Sequence, residues 1–400
     1  MGSLFKPFLW ALCLAFIYLA AKIYIVFIQS PLSSIPGPRV FAITKWRLAL
    51  EDYRGTRTRY MQILHEKYGA VVRIGPNEVS FNSLSALRTL YGAGTVFQRN
   101  DFYRILESIL SSLHLLPMLR PTTYTGIRTY ALKAAEQVNR SATLDSNESI
   151  AERLFLASRK ENLKTETPLE FLDIASECAD HLLAGIDTTS DTLMWAIFLL
   201  SQSENHVFQD KLREEIQSLQ VKSDDDDVVN APLADTLPYL NAIIKETLRL
   251  FPPLPGTEPR ISETDQIVDG YTIPAGTTVS ISPYTLHRNA DVFEEPERFN
   301  PKRWLSTGSG SDSGEEDARL AEMKRWFWAF SSGGRMCIGM HLAMAEMTTL
   351  LASVYRVYKT EIASGFRGVS PGVTARYEVF YDDRFPRMEE HACWVRFVKD

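Results

Sequence analysis

The sequence predicts a mainly α-helical protein with a minor β-sheet, an α+β fold, behind an N-terminal transmembrane helix. Three observations predict it. Apolar positions recur at helical spacing over residues 167–201, unusually long for a globular helix. Strand-like stretches are short and interrupted by Gly, Pro, Asn and Asp. An apolar run at residues 8–28, broken only by Lys22, matches a membrane span at about 1.5 Å per residue against a hydrocarbon core of about 30 Å.

Lys22 stands near the end of that run, where its stem stays in lipid and its ammonium reaches the headgroups. A cleaved secretory signal over residues 8–21 is the alternative. Apolar residues resume after Lys22, however, and the stiff hinge Ser33-Ser34-Ile35-Pro36-Gly37-Pro38 follows, which favours an anchor. Only Lys6 precedes the run, whereas Arg39, Lys45, Arg47, Arg54, Arg57 and Arg59 follow it, so the positive-inside rule places the body in the cytosol. The expected organisation is an anchor over residues 1–30, a Pro-rich hinge over 31–38 and one catalytic domain over 39–400, without internal repeats.

Helical periodicity begins beyond the hinge at residues 57–68. Residues 70–74 and 78–81 then flank Gly75-Pro76-Asn77 as a hairpin. The long helix has Pro168 near its first turn. Further helices are read at residues 206–219, 238–250 and 340–358, and short strands within 266–282 around Asp269-Gly270 and Pro274-Ala275-Gly276. Residues 223–227 and 307–316 are polar enough to predict solvated loops.

The 400 residues are 45% hydrophobic and 23% charged, which suits a globular protein with a large core. A net charge of -6 gives no basic footprint for nucleic acid. Cys13, Cys178, Cys337 and Cys393 lie far apart, without a C-x-x-C pair, which argues against a disulfide framework or structural zinc.

The strongest chemical signal is Phe330-Ser331-Ser332-Gly333-Gly334-Arg335-Met336-Cys337-Ile338-Gly339. Glycines let a backbone turn against a flat group, and a Cys just before a helix gains N–H donors and a positive helix end for its thiolate. Within the long helix stands Ala184-Gly185-Ile186-Asp187-Thr188-Thr189. A Gly inside a helix costs about 1 kcal/mol, which suggests a close approach, and the Thr188 hydroxyl can bond back along the helix. Glu246 and Arg249 lie at i and i+3 on one helix face, and Pro296-Glu297-Arg298-Phe299 follows downstream.

In their order and spacing these segments resemble the cytochrome P-450 family: the Cys loop matches F-x-x-G-x-R-x-C-x-G, the long helix A/G-G-x-D/E-T-T, and the two later segments E-x-x-R and PERF. The resemblance implies a haem-thiolate monooxygenase. Cys337 would be the axial ligand of heme b iron, with Phe330, Gly333, Arg335 and Gly339 forming its loop and Arg260 and Arg335 meeting the haem propionates. Asp187 and Thr188 would relay protons, and Glu246, Arg249 and Arg298 would form a buried structural network. His287 would pack near the haem edge, and residues 251–257 would line the pocket. The substrate would be an apolar small molecule and the oxidant O2.

With no G-x-G-x-x-G fingerprint, electrons would come from NADPH through a separate reductase on the same membrane, Lys324, Arg325 and Arg335 being candidates for its docking surface. The place implied is the endoplasmic reticulum membrane, single-pass, with the catalytic domain cytosolic. The hinge and the Cys-loop wording are similar to fungal enzymes that tailor secondary metabolites. The resemblance covers residues 33–103 and 113 onward; between Tyr103 and Leu113 the family has roughly a hundred further residues, including a W-x-x-x-R helix that binds a propionate. The alternative is therefore a catalytically inactive, internally truncated paralogue serving as a membrane-bound binding or scaffold protein.

Overall fold

The computed structural model describes residues 24–100, 122–141, 152–153, 171–219, 228–306, 313–375, 378–382, 384–385, 387–390 and 394–399, with scattered positions before residue 24. Ten of the 21 residues of the expected span at 8–28 lie outside them, as do residues 101–121. Among the described residues no helix is long and apolar enough to cross a membrane. The chain divides into two compact units, one of Met1–Phe102 with Thr192–Asp400, the other of Tyr103–Asp191.

In chain order the larger unit carries α1 (Arg39–Ile43), α2 (Trp46–Tyr53), α3 (Arg57–Tyr68), β1 (Val71–Gly75), β2 (Glu78–Phe81), α4 (Leu84–Tyr91) and β3 (Gln98–Arg99). The smaller unit holds α5 (Thr122–Ser141) and the first part of α6 (Phe171–Ser201), whose last turns belong to the larger unit. Then come α7 (His206–Gln217), α8 (Ala231–Ala234), α9 (Pro238–Leu250), β4 (Arg260–Ile261), β5 (Gln266–Val268), β6 (Tyr271–Ile273), β7 (Thr278–Ser280), α10 (Pro283–Leu286), α11 (Ser313–Trp326) and α12 (Met340–Val357). Short strands β8 (Tyr358–Ile362), β9 (Val369–Ala375), β10 (Glu378–Tyr381), β11 (Arg387–Glu390) and β12 (Val395–Lys399) close the chain. The mainly helical fold with a minor sheet is as the sequence predicts.

The main sheet has the order β1-β2-β7-β4-β3. The β1–β2 hairpin forms where Pro76-Asn77 breaks the strand pattern, while β2 pairs in parallel with β7, Glu78 opposite Thr278 and Ser80 opposite Ser280. Asn77 ties that junction, its Nδ2 donating to the Gly276 carbonyl at 2.7 Å and its Oδ1 accepting from the Thr277 hydroxyl at 3.0 Å. Helix α9 begins at Pro238, which gives up no needed N–H there. The Glu215 carboxylate from α7 accepts from the free N–H groups of Tyr239 and Leu240 at 2.8 and 2.9 Å. Behind α9 lies the largest core cluster, in which Ile243 and Leu248 meet Leu212, Leu351 and Tyr355, and Trp195 stacks on Phe251 with ring centres 3.9 Å apart.

The smaller unit has its own small core of Ala135, Ile174 and Ala175, with Val138, Phe171 and Cys178 packed against it. One expectation is corrected. Residues 313–316 are not a loop but the first turn of α11, where Glu315 and Glu316 complement the positive helix end.

Candidate functional site

The Cys loop is fixed from upstream. Trp328 is buried, with its ring 4.6 Å from that of Tyr91 and its indole N–H donating to the Ser332 hydroxyl at 3.0 Å. Ser332 in turn donates to the Tyr91 carbonyl at 3.3 Å. Ser331 and Gly333 both take positive φ, 58° and 66°, which folds the loop back on α4. A Cβ on Gly333 would stand 2.2 Å from the Tyr91 carbonyl oxygen, so only glycine fits this approach. The chain then returns through the Cys337 N–H, which donates to the Phe330 carbonyl at 2.8 Å, and enters α12 at Gly339.

The outer face of this loop is open. Cys337 is exposed, Met336 and Ile338 are 50% and 83% exposed, and a Cβ on Gly334 or Gly339 would meet nothing. Next to it, a cleft of about 170 Å³ is lined by Arg99, Arg260 and Arg335 together with Ser332 and Gly334. Arg260 is held within the cleft wall: its guanidinium lies 4.6 Å over the Tyr91 ring and 3.4 Å from the Glu258 carboxylate. An open apolar shelf with a thiol at its centre and guanidinium groups at its margin fits a flat apolar macrocycle that carries carboxylates and is bound through sulfur.

In the smaller unit the Asp187-Thr188 pair lies on α6. The Thr188 hydroxyl donates to the Ala184 carbonyl at 2.6 Å, the back-bond expected for it, and a Cβ on Gly185 would meet nothing. Asp187 is exposed, as are Ile186 and Leu172.

The buried ionic network differs from the expected one. Glu246 and Arg249 are fully buried and form a two-pronged pair, Arg249 Nη2 to Oε1 at 2.8 Å and Nε to Oε2 at 2.9 Å. The third member is Arg303, whose Nε donates to Glu246 Oε1 at 3.1 Å, and Trp304 Nε1 donates to Oε2 at 2.9 Å. Arg298 gives only its carbonyl, which accepts from Arg249 at 3.2 Å, while its exposed side chain pairs with Glu295. The physical reason is the turn that begins at Pro301. It sends Arg303 and Trp304 inward behind the buried Phe299 and leaves Arg298 facing water. Desolvation lowers the pKa of Arg303, with the Glu246 carboxylate opposing. The spare donors reach the carbonyls of His287, Pro296 and Glu294 at 3.0, 2.6 and 2.8 Å, so the buried cations are satisfied.

His287 is fully buried beside this network. Its ring stacks on Phe327, and both ring nitrogens are engaged, Nδ1 by the Arg249 carbonyl and Nε2 by the Trp328 N–H. Sequence reasoning passed over its bond to the Trp328 N–H, because no local pattern joins positions 287 and 328.

The body is mostly helical and presents a thiol on a glycine-formed loop beside an arginine-lined cleft. A model of the cytochrome P-450 family matches residues 113–367, more than half of the sequence. The chain belongs to this family of monooxygenases, which act with haem iron, a reductase partner and O2 on small molecules. It is similar to the cytochrome P-450 monooxygenase AKT7 of Alternaria alternata, 32% identical over 70% of this chain and half of that protein. With cypX of Dothistroma septosporum it shares 26% identity over 82% of this chain and 84% of the relative. With poxC of Penicillium oxalicum the identity is 28%, over 96% and 94%. This last alignment runs over 466 positions against a chain of 400 residues, so it places gaps within this chain.

Proposed function

We propose that the chain is a membrane-anchored haem-thiolate monooxygenase that inserts one oxygen atom into an apolar small molecule, as a tailoring step in fungal secondary metabolism. The observation that carries this reading is the open shelf around Cys337 beside the arginine-lined cleft. Heme b would supply dioxygen binding and cleavage there. Cys337 would hold the metal, Gly334 and Gly339 would leave room for the ring face, Gly333 would turn the loop against Tyr91, Phe330 would pack beneath the loop, and Arg260 and Arg335 would bind the carboxylates. Asp187 would hold a proton at its carboxyl and Thr188 would donate from its hydroxyl.

NADPH would supply electrons through a separate reductase, and the exposed Lys324 and Arg325 support a basic docking face. The exposed Trp10, Leu14, Phe16 and Ile17 support anchoring in the endoplasmic reticulum membrane with a cytosolic catalytic domain. The second reading, an inactive scaffold, is favoured by the gaps against poxC.

Cys337→Ser tests the first reading. The variant should insert in membranes like the parent but lose the thiolate-type spectrum of the ferrous carbon monoxide complex, and an unchanged spectrum would refute the ligand. Thr188→Ala should retain that spectrum while product per NADPH falls several-fold and hydrogen peroxide rises. Equal coupling in variant and parent would remove the role of Thr188.

A further inference from the structure

We infer that His287 is a positioning residue, the hydrogen-bonded joint that ties the buried Glu246–Arg249–Arg303 network to the root of the Cys loop. The inference rests on the reading of Cys337 as haem ligand. Arg249 is bound twice to this residue: its Nη1 donates to the His287 carbonyl at 3.0 Å, and its own carbonyl lies 3.2 Å from His287 Nδ1. On the other side the Trp328 N–H meets Nε2 at 2.8 Å. A carbonyl can only accept and an amide N–H only donate, so Nδ1 carries the proton, Nε2 carries the lone pair and the ring is neutral.

Trp328 is where the loop leaves the core. Its indole holds Ser332 and its ring packs on Tyr91, against whose carbonyl Gly333 is pressed. His287 therefore supplies the link between the end of α9 and the segment that leads into the Cys loop. Burial beside Arg249 and Arg288 pushes its pKa down to about 3, in keeping with a ring that stays neutral through the physiological range. An imidazolium would lose the lone pair that receives Trp328, and two guanidinium groups already lie close by.

Two variants separate hydrogen bonding from packing. His287→Phe keeps a ring against Phe327 but removes both bonds, whereas His287→Gln retains an acceptor for the Trp328 N–H. In membranes with haem supplied, His287→Phe should raise the fraction of the carbon monoxide complex lacking the thiolate-type band at least fivefold, and His287→Gln should recover most of the parent spectrum. The amide of Trp328 should exchange hydrogen at least tenfold faster in His287→Phe than in parent or His287→Gln, with or without haem. Should His287→Phe fail to accumulate, His287→Leu against His287→Gln makes the same comparison. Parent-like exchange in the apolar variant, or equal defects in the apolar and Gln variants, would overturn the inference. A parent without the thiolate-type band would refute the haem reading instead, and the Trp328 exchange rate would still decide whether His287 holds the loop.

Discussion

Arg298 and Arg303 share one side chain and sit in the same short segment, yet their surroundings predict opposite consequences of losing them. Arg303→Ala leaves Glu246 fully buried with one cation fewer, and should cost about 3 kcal/mol of unfolding free energy. Arg298→Ala removes an exposed pair with Glu295 and should stay within about 0.5 kcal/mol of the parent. Urea unfolding of the detergent-solubilised chain checks both, and equal losses would contradict the assignment of Arg303 to the network. His65 and His287 make a second prediction. Both are buried and neutral, with pKa values lowered from 6.5 to about 4 and about 3, mainly by desolvation. Below about pH 6.5 the unfolded chain takes up protons that the folded chain refuses. Their contribution to stability is therefore complete above that pH and falls, by about 1.4 kcal/mol per pH unit for each histidine, as pH drops toward the folded values. Unfolding midpoints at pH 7.5, 6 and 5 should show this slope, and His65→Asn combined with His287→Gln should flatten it.

The Cys loop between α11 and α12 is an element whose glycines have separable tasks. At Gly333 the positive φ and the approach to Tyr91 are properties of the fold itself. Gly333→Ala should destabilise the protein by about 1–3 kcal/mol whether or not haem is bound. Gly334 has ordinary φ and open space before it. Gly334→Ala should leave the unfolding midpoint of the haem-free chain unchanged and lower haem per chain when haem is supplied. Unfolding curves with and without haem check the pair; a Gly334→Ala defect confined to the haem-free protein would contradict the shelf.

At the scale of the whole molecule, the question is whether the chain closes over its cofactor. The internal block expected between Tyr103 and Leu113 coincides with the start of the family match at residue 113, and the poxC alignment needs gaps within this chain. Helices normally buried against that block would leave apolar surface bare at about 25 cal/mol per Å², and Leu172 and Ile186 on α6 are 65% and 48% exposed. On the proposed reading Arg260 and Arg335 would bind the carboxylates without the partners that a W-x-x-x-R helix would add. The 400-residue chain should therefore hold less haem per chain than a version with the family's helices restored. Haem stoichiometry and carbon monoxide spectra of both forms, expressed in the same membrane host, give the comparison, and equal values would show that the shortened fold suffices.

By itself the sequence determined what depends on neighbouring residues. The bounds of α9 follow from Pro238 and helical spacing, the β1–β2 hairpin from Pro76-Asn77, and the loop around Cys337 from closely spaced glycines. Turns and periodicity are local, so their physics is written in contiguous positions. The tertiary structure alone decided which arginine faces Glu246, that β2 lies in parallel beside β7, and that His287 holds Trp328. Each of these is a choice among chemically equivalent partners far apart in the chain. Only the closing of the long loops between them, with the burial that favours it, settles which donor meets which acceptor.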